Sequence, residues 1–421
     1  MLMKEDLLKF YKDHLVDEFI PFWSNSLDQK HGGVFTCYDN LGKNLVSTDK
    51  YTWSQGRFLW LWSRIARMIL ENKLPGMVEE YQFHLEKTVS FIEKNVFLEN
   101  GNCAFLLTAD GRKKESIPGK GYDTSIYADC FIVLGLSEYA ALKCDKQLFE
   151  KALTLYKSIR NRVEIGSIRS EPYEIPEGFK AHSIPMILLN VTQCLFNTSQ
   201  IINHSKQDLI REYKIGYMQQ IMNVFYQDDH KIAEFIQMNP STSSNSLLER
   251  HINPGHAIES MGFVLQSAQE EKHSNYILKA VSAIEKAVNV GWDSRYGGIL
   301  RFTDDSGTEP TCEKPDFSYE KLILESWDLK LWWPHSEALY ATYFAYHLTG
   351  SEKMHKLFKK IHDYTFKTFP NPDKKIGEWI QIRDRKGKPK ETIAALPVKD
   401  PFHIMRNLLQ MIELLTSNQN K

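Results

Sequence analysis

The sequence has little that would tie it to redox, nucleotide or membrane chemistry. Its 421 residues include six cysteines, none of them in a CxxC pair. That density is too low for a disulfide scaffold, so Cys37, Cys103, Cys130, Cys144, Cys194 and Cys312 read as reduced thiols. No apolar run approaches the ~20 residues needed to cross a bilayer. The opening MLMKEDLLKFYKDHL carries charged residues from its fourth position, which argues against a signal peptide. A cytoplasmic protein is expected. Neither GxxxxGK[ST] nor a strand-linked GxGxxG occurs, and HExxH, clustered Cys/His spacing and an EF-hand loop are missing too. No metal and no nucleotide cofactor is therefore expected. Charge of either sign is not in excess: 52 Lys plus Arg face 53 Asp plus Glu, leaving no field to attract nucleic acid or an anionic membrane. A neutral small molecule is the partner that fits.

What the chain does have is helical periodicity and repetition. Apolar residues make up 42% of it, enough for a large core. Leu8, Tyr11, Leu15 and Phe19 form one helical stripe, and Phe131, Leu134 and Leu142 belong to another long helical region. Between helices the pattern G-x6-D-x2-G recurs at Gly32 to Gly42, Gly297 to Gly307 and Gly377 to Gly387, with a looser copy from Gly101 to Gly111. Each piece encloses alternating aromatic or branched residues and predicts a β-hairpin with Asp and Gly at the turn. A second signature, D-x-K-I-x-E-aromatic-I-Q, runs from Asp229 to Gln237 and again from Asp373 to Gln381. The spacing is about two units of roughly 70 residues, longer than the ~33–47 residues of ordinary helical solenoids. Six helix pairs closing into an all-α (α/α)6 barrel, with short hairpins walling one end, fit this repeat better than an open array. No Pro/Gly/Ser-rich linker divides the chain, so residues 1–421 are expected to form one catalytic domain.

Two histidines stand at helix starts. In Asn253-Pro254-Gly255-His256-Ala257-Ile258-Glu259, Asn253 suits the cap, Pro254 the first turn, and His256 shares a helix face with Glu259. The carboxylate is placed to orient or charge-tune the imidazole. In Pro401-Phe402-His403-Ile404-Met405-Arg406, His403 and Arg406 share a face in the same way, as a proton donor and an oxyanion holder would. Taken singly, each histidine reads more readily as a solvated or structurally bonded residue. Two aromatic clusters add Trp53 and Arg57, then Trp333 and Glu337, where loops meet helix starts. Indoles beside an Arg and a Glu suit a carbohydrate pocket, whereas Trp60 and Trp62 read as core.

Seven segments in order, KHGGVFTCYDNLGK, KYTWSQGRFLWLWSRI, the run around IPMILLN, INPGHAIE, KLWWPHSEAL, GEWIQIRDRKGK and PFHIMRNLL, resemble the N-acylglucosamine 2-epimerase family, which includes cellobiose 2-epimerases and mannose isomerases. The resemblance spans essentially the whole chain. It implies an (α/α)6 barrel and a histidine pair that shuttles a proton at a sugar's second carbon. Carried over residue by residue, it makes His256 and His403 catalytic and assigns Arg57, Glu259, Glu337, Arg406 and Asn190 to the pocket, beside Trp53 and Trp333. Dimerization is common in the family. Branches acting on unmodified sugars carry a further His near residue 185, where this chain reads Ile184-Pro185-Met186, so the resemblance leans to the N-acyl branch. A shifted alignment through His182 would restore that histidine and keeps the isomerase branch open.

Neutral imidazole, with an ordinary pKa of about 6.5, suits removal of the weakly acidic proton beside a sugar carbonyl. Inversion needs a second donor on the opposite face of the enediolate. Arg57 or Arg406 would hold the developing oxyanion. The favoured expectation is a 2-epimerase interconverting N-acetylglucosamine and N-acetylmannosamine. The alternatives are an aldose-ketose isomerase acting on mannose or a related sugar, a cellobiose-type 2-epimerase, a glycoside hydrolase using Glu259 and Glu337, and a non-catalytic sugar-binding module.

Overall fold

A computed structural model describes residues 4–239 and 246–417. Twelve of its helices, numbered here in chain order, form two concentric rings. They are α1 (Lys4–Asp13), α2 (Thr52–Leu70), α3 (Glu79–Asn95), α4 (Ile126–Lys143), α5 (Lys146–Glu164), α6 (Ser183–Ile201), α7 (Gln207–Gln220), α8 (Pro254–Glu270), α9 (Ser274–Gly291), α10 (Trp332–Thr349), α11 (Glu352–Thr368) and α12 (Phe402–Thr416). The inner ring runs α2, α4, α6, α8, α10, α12 and closes where α12 packs back on α2. Outside it, α3, α5, α7, α9 and α11 each pack on the inner helix before them, and α1 packs on α12. The fold is an (α/α)6 barrel.

The sequence separates the two rings. An outer helix buries one stripe: α11 turns Met354, Phe358, Ile361 and Thr365 inward and leaves its lysines in solvent. An inner helix is covered on all sides, and α4, IYADCFIVLGLSEYAALK, is accordingly apolar nearly all round. Its approach to α2 requires glycine. A Cβ on Gly56 would lie 2.3 Å from the Phe131 carbonyl oxygen, and one on Gly135 would lie 2.4 Å from that of Gly56. Trp62 is fully buried, as expected of core, while Trp60 is partly buried with its edge against Phe402. The thiols of Cys37, Cys103, Cys130 and Cys194 are buried and Cys144 is exposed; all six cysteines are free. Among the described residues no helix is long and apolar enough to cross a membrane.

The Asp-Gly turns form as expected: Gly42, Gly307 and Gly387 donate their N–H to Asp39, Asp304 and Asp384, each at 2.9 Å. The pairing differs from a set of self-contained hairpins. Strands Lys50–Tyr51, Phe179–Ala181, His251–Ile252 and Lys330–Leu331 each lead directly into an inner helix. Each pairs antiparallel with a strand from the following unit, respectively Leu106–Leu107, Phe235–Gln237, Thr303–Asp304 and Ile382–Arg383. One end of the barrel is thereby stitched from unit to unit. It is the end where α2, α6, α8 and α10 begin, so the first turns of those helices are held around a common mouth.

Candidate active site

At that end lies a cavity of about 210 Å³, many times the space one water needs. Its walls are mainly aromatic and aliphatic, with a few convergent polar groups, as small-ligand sites are. Arg57 and Trp53 come from the first turns of α2, His256 and Glu259 from α8, Trp333 from α10 and His403 from α12. Asn253 caps α8 by accepting the His256 backbone N–H at 3.2 Å, which fixes where that helix begins. Two loops complete the mouth through Tyr173 and Ala394. The Arg301 guanidinium donates to the Tyr173 hydroxyl and the Ala394 carbonyl, both at 2.8 Å.

The two imidazoles flank one indole. Ring centroids of His256 and Trp333 are 5.4 Å apart, and those of Trp333 and His403 are 5.6 Å apart. The sum of these distances caps the separation of the histidines, so they share one chamber. Their side chains keep 25% and 12% of their surface exposed, so a ligand in the cavity can reach both. Each ring is tied through Nδ1 to a carboxylate: His256 to Glu234 at 2.8 Å, His403 to Glu337 at 2.7 Å. A carboxylate can only accept, so in each case Nδ1 carries the proton and Nε2 is left for a ligand.

The surroundings set the two rings apart. Burial works against charge on His256, but the facing Glu234 carboxylate outweighs it, with Glu259 adding to the effect, and its pKa stands above the ordinary value. Glu234 is in turn held well below the usual carboxylate range despite its burial, because His256 and His182 favour its ionised form. Burial drives His403 the other way, down to about 3, against the pull of Glu259 and with help from the Arg57 and Arg406 charges. His256 is thus the imidazole that charges more readily and His403 the one that resists charging.

Behind His403, Arg406 donates to Glu259 at 2.9 Å and to Glu337 at 2.5 Å. Burial opposes its charge, yet the two carboxylates hold its pKa above the ordinary arginine value. Glu259, Glu337 and His403 together have the composition of a metal-ligand set. The guanidinium already compensates both acids, which makes the cluster a poor cation site. Arg57 sits between the Trp53, Phe131 and Phe402 rings, with its carbon 4.6, 3.9 and 5.0 Å from their centroids, and is paired with Asp400. Burial pulls its pKa below the ordinary arginine value, and Asp400 opposes that pull.

Of the residues singled out in the sequence, Trp53, Arg57, His256, Glu259, Trp333 and His403 line one cavity. Glu337 and Arg406 do not; they form the charged layer behind His403. Asn190 lies one turn beyond the cavity-lining Met186 and Ile187 on α6, half-buried and outside the wall. His182, a candidate for the extra histidine, is fully buried and does not reach the cavity, while Met186 lines it. The expected pairing of His256 with Glu259 is replaced by Glu234, 22 residues back in sequence. Glu234 had a sequence signal, since it is the acid of the D-x-K-I-x-E-aromatic-I-Q repeat, but that repeat read as a structural unit. Asp400, the partner of Arg57, had none.

Two carboxylate-tied imidazoles in a sheltered, sugar-compatible cavity can take a proton from carbon and return one, which is the working requirement of a carbohydrate isomerase. Comparison with known proteins narrows this class. Residues 33–406 match the family model for N-acylglucosamine 2-epimerase (GlcNAc 2-epimerase), and the chain belongs to that family. It is 29% identical to the N-acylglucosamine 2-epimerase of Bos taurus over 432 aligned residues, covering 99% of this chain and 94% of that one. Solved structures share the fold. Cellobiose 2-epimerase from Bacillus thermoamylovorans B4167 aligns with a TM-score of 0.75 at 17% identity over 97% of this chain and 99% of that one. A D-mannose isomerase aligns at 0.74 and 14% identity over 97% of each chain. The protein is a carbohydrate epimerase of the isomerase class.

Proposed function

We propose that the protein interconverts N-acetylglucosamine and N-acetylmannosamine, moving the proton at C2 of the ring-opened sugar between His256 and His403, within one catalytic domain. The observation that carries this reading is the pair of imidazoles meeting across Trp333 in one cavity, each with Nδ1 tied to an acid. His403, neutral, takes the C2 proton of one epimer through Nε2, and protonated His256 delivers a proton to the opposite face of the enediolate. The reverse reaction exchanges the roles. Arg57 lines the cavity where Arg406 does not, which supports Arg57 as the oxyanion holder, worth about 3–4 kcal/mol for one well-aimed donor. Trp333 supplies the floor between the two bases.

The N-acyl substrate is supported by the curated relatives that match essentially the whole chain and carry that name. It is also supported by Met186, an apolar residue where branches acting on unmodified sugars are expected to place a histidine. Balanced charge and six free thiols suit a reducing, cytoplasmic setting. The test is turnover of N-acetylmannosamine in deuterated water. N-acetylglucosamine should appear with deuterium at C2, and label should enter product well before recovered substrate, because the two faces are served by different bases. A ketose product would replace this reading with an aldose-ketose isomerase. Turnover of cellobiose or mannose, with none of the N-acetyl sugars, would also overturn it.

A further inference from the structure

The two copies of the D-x-K-I-x-E-aromatic-I-Q signature use their glutamates differently. In the second copy, Glu378 is fully buried and accepts from Trp23 at 2.5 Å and from Gln381 at 2.9 Å, near the buried Lys399 ammonium, which bonds the Trp379 carbonyl. That copy ties the last unit to the N-terminal helices. In the first copy, Glu234 is equally sheltered, at 4% exposure, but lines the cavity and meets an imidazole of the proposed proton-transfer pair.

Its placement is determined on several sides. The Glu234 carbonyl accepts the His182 N–H at 2.9 Å, and Phe235 pairs with Ala181, so the strand ladder sets the direction of the side chain. Oε1 accepts the hydrogen bond from Nδ1–H of His256; Oε2 lies 3.9 Å from Nδ1 of His182. His182 is anchored through Nε2 to the Ser260 hydroxyl at 2.9 Å, one turn along the helix that carries His256. A closed loop of contacts, Ser260 to His182 to Glu234 to His256, therefore begins and ends on α8.

We propose that Glu234 is a positioning residue for the reaction: it fixes the tautomer and orientation of His256 so that Nε2 faces the sugar, with His182 and Ser260 holding the carboxylate in place. This rests on the function proposed above. In the step it serves, the C2–H bond breaks, its proton passes to Nε2 of one histidine and its electron pair to the enediolate. Nε2–H of the other histidine then returns a proton to the opposite face. One proton leaves carbon and one arrives, so the pair ends with its total charge unchanged. His256 is faced by Glu234 from the loop before Phe235–Gln237, by Glu259 and His182 from α8 and the start of α6, by His251, by Arg301 from the adjacent hairpin, and across Trp333 by His403. Glu234 is the one of these within hydrogen-bond distance of its ring.

The test compares wild type, Glu234→Gln and Glu234→Asp for kcat, KM and pH profile on N-acetylmannosamine and N-acetylglucosamine. Glu234→Gln should lower kcat by about 10²-fold, with KM changing far less. Because the carboxylate favours the charged imidazole, its loss should also move the alkaline limb to lower pH. Glu234→Asp keeps the charge and should retain the limb and part of the rate. An unmoved limb in Glu234→Gln, a loss confined to KM, or equal impairment of both variants would overturn the proposal. Should Glu234→Gln fail to fold, His182→Gln carries the test through the split between kcat and KM: kcat should fall with KM little changed, and an unmoved kcat overturns the idea. A wild type that turns over neither sugar removes the functional reading and this proposal with it, whereas an active wild type beside an unaffected Glu234→Gln removes only the latter.

Discussion

The two sides of the cavity are built from similar parts to opposite effect. On each, a histidine in the first turn of an inner helix donates a hydrogen bond from Nδ1–H to a buried glutamate. On the His256 side no guanidinium among the described residues is bonded to that carboxylate, and its charge raises the pKa of the ring. On the His403 side Arg406 bonds the same glutamate, Arg57 lies close by, and the acid is largely cancelled before the imidazole feels it. What separates the proposed proton donor from the proposed base is whether an acid outweighs the burial of the ring: Glu234 does so for His256, whereas burial, helped by the Arg57 and Arg406 charges, prevails at His403. The arrangement also keeps two imidazoles from charging together at neutral pH.

The comparison is tested most severely by removing each ring. His256→Asn and His403→Asn should each lower epimerization on the order of 10³-fold. Sugar affinity, followed by tryptophan fluorescence, should be largely retained. A variant that kept near-normal turnover would mean that the reaction needs only one side. Arg406→Met sharpens the contrast by making the two sides alike. It strands Glu259 and Glu337 as buried, uncompensated acids, and should cost about 3 kcal/mol or more in denaturant unfolding. It should also raise the His403 pKa, bringing an acid limb up toward neutral pH in the rate profile. Full stability would show that the acids are protonated and the cation dispensable. The smallest effect concerns direction. Both directions draw on the singly protonated pair, differing only in which ring holds the proton, so their kcat/KM profiles should have the same two limbs. The alkaline limb should stand above pH 6.5, following His256, and the acid limb far below it, following His403. Limbs that differed between directions would mean that a third group titrates in one of them.

Much of this was legible in the sequence because it is local. Helix starts, Asp-Gly turns and the unit length predict the barrel, and residues at helix N-termini predict the wall, since those termini share one end. Inference failed where it extended helical neighbour rules to partners. His256 and Glu259 are three apart on α8, yet Glu259 turns to Arg406, and Glu234 arrives from the preceding unit. His403 and Arg406 are three apart on α12, yet they meet behind the cavity wall, at Glu337, and not in the chamber. Arg57 finds Asp400 across 343 positions. In a ring, the side chain opposite comes from another unit, and periodicity along one helix carries no record of it. The strand pairing was missed for the same reason: a hairpin motif predicts its own turn, not the neighbouring unit it is sewn to.

The seating of α1 on α12 has a consequence for how activity is acquired. The covering helix of the final inner position is α1, the first of the twelve in chain order, so the circle shuts only when the first and last of them meet. His256 is translated long before His403, and a nascent chain that has already shaped five of the six inner staves still owns half of the proposed acid-base couple. Closure of the circle and completion of the proposed couple are thereby one event.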